Sequence, residues 1–165
     1  MEEESSSKIM HRAGLLLARR PYSRGELREK LSMLGDHQEI ESTLDRLQEL
    51  NLLNDVNYSY NLASYWMKHE GWGPIKVRFH LLRRQLSEAV ADATLDRIGQ
   101  ELSDADLLVA YLERRARNHP LPGDRRGIRK LVASLRQRGF PDEAVYGVLR
   151  QRIPTVAWKK FDTGE

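Results

Sequence analysis

The chain contains no cysteine. Disulfides, thiolate catalysis and cysteine-ligated zinc or iron–sulfur centres are thereby excluded, and a reducing compartment is compatible with the composition. No long apolar run reads as a membrane span, and residues 1–7 are acidic and serine-rich, unlike a secretory signal or a transit peptide. The expected location is cytoplasmic. His11, His37, His69, His80 and His119 never fall four apart, so no helix face offers two imidazoles to a metal. No Gly-x-Ser-x-Gly elbow surrounds a serine. Pro122-Gly123-Asp124-Arg125-Arg126-Gly127 lacks the Gly-Lys-Ser/Thr ending of a phosphate-binding loop, and Gly71-x-Gly73 follows no strand. No catalytic residue, cofactor or metal is expected, and the chain does not read as an enzyme.

What the sequence does contain is a short helical pattern written three times. Two apolar residues four apart are followed by a break and then by a second apolar helix: Leu27, Leu31 and Leu34-Gly35; Val77, Leu81 and Arg84-Gln85; Leu131, Leu135 and Arg138-Gly139. This spacing is that of a helical repeat array, in which each unit is too small to bury much surface alone and must stack on its neighbour. The expected fold is all-α, an elongated array of three tandem three-helix repeats. Residues 1–7 form a flexible start, 8–52 the first repeat, 53–99 the second, 100–153 the third, and 154–165 a loose tail.

Local signals mark the helices within each repeat. Ile9, Leu15, Leu16 and Leu17 suggest a first helix stopped by Pro21. Ser23 and Glu26 form a capping box, in which each side chain satisfies an amide at the helix start. Leu27, Leu31 and Leu34 make the buried stripe, Gly35 a left-handed exit, and Ile40, Leu44 and Leu47 a third helix. In the second repeat Asn54 or Asp55 caps a helix carrying Tyr58, Leu62, Tyr65 and Trp66. Gly71 ends it, Pro74 opens the next, and Ser87 caps the last, with Val90, Leu95 and Ile98 inward. Tyr65, Trp66 and Trp72 read as core, and Trp158 as a freer aromatic. In the third repeat Ser103 or Asp104 opens a helix through Leu107, Leu108, Tyr111 and Leu112. A loop from His119 to Gly123 follows, and Asp124 caps a helix burying Ile128, Leu131, Val132 and Leu135. Gly139 ends that helix, Pro141 starts one with Val145, Val148 and Leu149, and Pro154 closes the array.

Charge is uneven along this scaffold. The net charge is +3, but residues 1–70 hold 9 Lys or Arg against 12 Asp or Glu, whereas residues 114–152 hold 11 basic residues against Asp124, Asp142 and Glu143. A basic module attracts phosphate or an acidic protein surface. The candidate binding residues are Arg114, Arg115, Arg117, Arg125, Arg126, Arg129, Lys130, Arg136 and Arg138 in the third repeat. Lys76, Arg78, Arg83 and Arg84 make a weaker set in the second. The plain alternative for each is a solvated helix face.

Several segments carry a resemblance. Leu53-Asn54-Asp55-Val56-Asn57-Tyr58-Ser59 is similar to a Leu-Asp-Asp-x-x-Phe-Ala segment of the RecX family, and Gly71-Trp72-Gly73-Pro74-Ile75-Lys76-Val77 to its Gly-aromatic-Gly-Pro-x-x-Ile segment. Ser23-Arg24-Gly25-Glu26-Leu27-Arg28-Glu29-Lys30-Leu31 resembles the family's Ser-x-x-Glu-Leu-x-x-Lys-Leu, and Arg138-Gly139-Phe140 its Arg-Gly-Phe. The resemblance implies tandem three-helix repeats and a non-enzymatic modulator of the RecA recombinase. That modulator is expected to inhibit by binding along the RecA–DNA filament and altering its ATPase, strand exchange and growth. It also implies a role in homologous recombination and DNA repair within the SOS response. The partner is then the RecA filament, with single- or double-stranded DNA a further candidate. No membrane contact is expected, and the free protein should be a monomer. The alternative is a direct DNA-binding helical module using the basic third repeat. Gln85 departs from the family pattern, which has glycine in that turn; a left-handed backbone there would cost a non-glycine residue about 1 kcal/mol.

Overall fold

A computed structural model describes residues 2–154 and Trp158. Among the described residues the chain is entirely helical: α1 (Glu2–Leu17), α2 (Arg24–Leu31), α3 (His37–Glu49), α4 (Asp55–Tyr65), α5 (Pro74–Arg83), α6 (Glu88–Glu101), α7 (Asp104–Ala116), α8 (Arg125–Gln137) and α9 (Asp142–Arg152), with a π-helical turn, Trp66–Glu70, continuing α4. The backbone divides into two compact units. One comprises residues 1–62 and 80–94, the other residues 63–79 and 95–165.

In the first unit α1, α2 and α3 pack on one another around Ile9, Ala13, Leu16, Leu27, Leu31, Ile40, Leu44 and Leu47. Capping residues define the helix starts. The Ser23 side chain accepts from the Glu26 amide and Glu26 accepts from the Ser23 amide, and Asp36 and Glu39 repeat the exchange at α3. α1 takes in most of the acidic start that reads as flexible from sequence. Leu15 is exposed, whereas Ala13 is buried. Leu34 also lies out of the core, because α2 ends at Leu31. Gly35 is not left-handed. A Cβ there would come within 2.6 Å of Ile9 Cδ1 and 2.5 Å of Glu39 Oε2, both ends of flexible side chains.

Helix α4 is rotated from its sequence reading. Ser59, Ala63, Trp66 and Met67 are buried, whereas Tyr65 is 53% exposed. Helix α6 likewise buries Ala91, Thr94 and Ile98, leaving Val90 and Leu95 half-buried. The Ser59 and Thr94 hydroxyls meet at 2.6 Å inside the first unit. Two hydroxyls that satisfy one another can occupy a core face that a search for large apolar residues passes over. Asn54 caps α4 by accepting the Asn57 amide at 2.9 Å, and Ser87 accepts the Val90 amide at 3.2 Å. Gln85 has φ 55°, the left-handed conformation in which its family pattern has glycine.

In the second unit α7 and α8 pack on α9. Leu107, Leu108, Leu112, Ile128, Leu131, Val132, Leu135, Phe140, Val145, Val148 and Leu149 are buried. Ser103 and Asp106 close a capping box at α7, and Asp124 accepts the Gly127 amide at 2.7 Å. Trp158 is 3% exposed and its indole donates to the Leu149 carbonyl at 3.3 Å, so it is a core aromatic and not a free one. The rest of the tail beyond Pro154 lies outside the described residues.

Candidate functional site

Of the thirteen candidate basic residues, Arg83 and Arg84 fall in the first unit and eleven in the second. Arg84 is engaged internally. Its guanidinium lies 3.3 Å from Glu26 Oε1, and its carbonyl accepts from the Ser23 hydroxyl at 2.5 Å. Glu26, 9% exposed, also receives Arg20 at 3.2 Å, the Ser23 amide at 3.0 Å and the Tyr58 hydroxyl at 3.3 Å. Burial alone would raise its pKa, but the Ser23 amide and the two guanidiniums hold it below the ordinary value. Arg83 is exposed on α5.

Several cations of the second unit hold the fold. Arg114 donates to the carbonyls of Lys68 at 2.7 Å and His69 at 3.2 Å. Arg138 donates to the Glu70 carbonyl at 2.9 Å and lies 4.3 Å from the centre of the Tyr111 ring. Both therefore satisfy carbonyls at the end of the π-helical turn, where positive charge also complements the helix dipole. Lys76 sits 4.3 Å over Trp72, which is half-buried and stacks on Trp66 at 5.2 Å. Arg136 binds Asp142 through two bonds, 2.6 and 2.8 Å, and holds that carboxyl below its usual range. Arg78 is half-buried on α5.

The remaining cations gather at α8 and the preceding loop. At about 100° per residue Arg126 and Lys130 point opposite the buried Ile128–Leu135 stripe, with Arg129 on the flank. All three are exposed, Arg125 is half-buried and Arg117 is exposed at the end of α7. Arg115 donates to the His119 carbonyl at 3.3 Å. It lines a cleft of about 200 Å³ with Pro120, Pro122, Gly127, Lys130, Leu131 and Ser134. Ser134 and the two prolines were not legible as site residues; the only sequence signal is that Ser134 lies one helical turn beyond Lys130. Among the described residues no group of three or more His, Asp or Glu is placed to hold a metal ion, and no helix is long and apolar enough to cross a membrane.

Two of the family segments, residues 71–77 and 138–140, meet in this unit. The Gly73 amide donates to the Arg138 carbonyl at 2.7 Å and the Ile75 amide to the Gly139 carbonyl at 3.1 Å. Gly139 has φ 86°, and a side chain there would lie 2.3 Å from the Lys76 amide nitrogen. The chain is 30% identical over 146 residues to the regulatory protein RecX of Chlorobaculum tepidum, covering 88% of each protein. It belongs to the RecX family. It is also 37% identical over 138 residues to regulatory protein RecX of Pseudomonas fluorescens, covering 83% of this chain and 86% of that one. The RecX first three-helix domain matches residues 11–47, within α1–α3. Crystal structures give the same fold: RecX from Lactobacillus salivarius superimposes with a TM-score of 0.79 at 22% identity, over 90% of this chain and 97% of that one. The tandem helical architecture expected of a RecX protein is thus present, and its relatives are regulatory proteins.

Proposed function

We propose that this RecX-family chain is a non-enzymatic modulator of the RecA recombinase that inhibits it by binding along the RecA–DNA filament. The observation that carries this reading is the match to proteins named regulatory protein RecX over most of the chain, with 30% identity across 88% of it in one case. The same reading has the protein in the cytoplasm, a monomer when free, with a role in homologous recombination and the SOS response. The three-repeat division at residues 8–52, 53–99 and 100–153 is part of the same reading. Repeated units supply several weak contacts, and a polymer offers them simultaneously, so avidity favours filament over free recombinase. The test is DNA-dependent ATP hydrolysis and strand exchange by the cognate recombinase during titration with this protein. Both should fall; no change in either at saturating protein would reject the proposal.

The exposed cations of α8 favour a second reading, a direct DNA-binding module. It predicts binding to DNA without recombinase and a steep loss of affinity with salt. Filament regulation requires recombinase, so co-sedimentation with filaments but not with bare DNA separates the two.

A further inference from the structure

We infer that the cleft between the end of α7 and the outer side of α8 is a phosphate seat, which takes one phosphodiester of a polynucleotide backbone. This deepens the second reading, the direct DNA-binding module, and rests on that reading for its setting.

Three features of the cleft point to an anion. Its polar lining is Arg115, Lys130 and Ser134, two cations and a hydroxyl with no carboxylate among them. The two carboxylates that flank the lining residues in sequence are both engaged: Asp124 accepts the Gly127 amide at 2.7 Å, and Glu113 receives Arg152 at 3.0 Å. Arg115 is anchored, since one terminal nitrogen donates to the His119 carbonyl at 3.3 Å while the guanidinium has further donors in its planar fork.

The shape of the cleft is also specified. A side chain at Gly127 would come within 2.5 Å of Pro122 Cβ and 2.8 Å of Asp124 Oδ1, so glycine is what lets the proline loop lie against α8. Pro120 and Pro122 then wall one side and Leu131 contributes apolar lining. A volume of about 200 Å³ admits a phosphate group with its ester neighbours but not a folded ligand. Lys130 and Ser134, one turn apart, present a charge and a hydroxyl from the same helix face. A tetrahedral anion matches this set of donors, and a backbone phosphate presents that anion repeatedly along a strand.

The test uses the intact protein with two probes. Inorganic phosphate is titrated at constant ionic strength while amide resonances are followed by NMR; saturable shifts should appear at Gly127, Lys130 and Ser134 and vanish in R115Q/K130Q. A fluorescent oligothymidylate is then titrated across a salt series. Loss of the seat, whose two cations neutralise one phosphate, should flatten the slope of log K against log salt by about 0.7. G127A keeps both charges but displaces the wall, so it should weaken oligonucleotide binding several-fold without flattening the slope comparably. S134A, which leaves wall and charge intact, should weaken it by a smaller factor. Absence of saturable phosphate shifts, or full-strength binding by both G127A and S134A, overturns the seat and leaves only diffuse charge. Wild-type binding to oligothymidylate tests the DNA-binding reading itself, so a seat that fails while that binding persists is distinguished from failure of the reading.

Discussion

At the scale of single residues, chemistry that looks like binding is often chemistry that holds the chain together. Arg114 and Arg138 are charged, candidate and basic by sequence, yet each guanidinium donates to carbonyls at the end of the π-helical turn. Arg84 lies against the buried Glu26, and Arg136 against Asp142. Only a contact map separates these from Arg126, Arg129 and Lys130, which the same composition rules rank equally. Glycine is the more legible residue type. Gly73 and Gly139, 66 positions apart, share one backbone approach, and a Cβ on Gly73 would sit 2.4 Å from the Gly139 carbonyl and the Phe140 amide nitrogen. Backbone cannot yield as a flexible side chain can. Gly73→Ala is therefore expected to cost about 3 kcal/mol or more. Urea denaturation followed by circular dichroism reads this directly, and a loss within about 0.5 kcal/mol of wild type would show that the approach relaxes.

Among elements, capping residues are the most legible in the sequence because their chemistry is local. Ser23 with Glu26, Asn54, Ser87, Ser103 and Asp124 each accept an amide three residues ahead, a relation that needs no knowledge of the fold. Helix rotation is less legible. For α8 the stripe Ile128, Leu131, Val132 and Leu135 is unambiguous, but α4 and α6 bury Ser59 and Thr94, whose pairing is a tertiary fact that periodicity does not encode. The clasp between α2 and α3 shows the same limit. Glu41 receives Arg28 and, at 2.6 Å, Arg24, and these two guanidiniums lower its pKa to about 2. An unfolded glutamate titrates near about 4.3, so the folded protein binds this proton more weakly than the unfolded chain. Its stabilisation is complete above that value and disappears as pH falls toward 2. Thermal melts from pH 7 to pH 2 should show Glu41→Gln less stable than wild type at neutral pH, with the difference shrinking below about pH 4.5. A gap that stays constant across this range would remove the assignment.

For the whole molecule, chain order and packing partition the middle helices differently. Periodicity groups residues 53–99 as one repeat, whereas residues 55–62, 80–83 and 88–94 belong with the first compact unit and 63–65, 74–79 and 95–101 with the second. Charge follows a simpler division, concentrated in residues 114–152 with 11 basic side chains and three acidic ones. After the internally bound arginines are set aside, α8 presents the residual field, and a field of one sign steers a partner of the other. Reversing Arg126, Arg129 and Lys130 together to glutamate changes the local charge by about six units without touching a side chain that the fold uses. Stability should stay close to wild type, since exposed substitutions away from caps and core usually shift it by about 0.5 kcal/mol or less each. Binding should not. Affinity for recombinase–DNA filaments, measured by co-sedimentation at about 0.1 M salt, is expected to fall at least about tenfold, with the difference from wild type narrowing as salt rises and screening shortens the reach of the field. If the triple variant melts normally and binds filaments as well as wild type, the outer face of α8 is ordinary solvated surface, and the contacts that distinguish filament from free recombinase lie elsewhere on the chain.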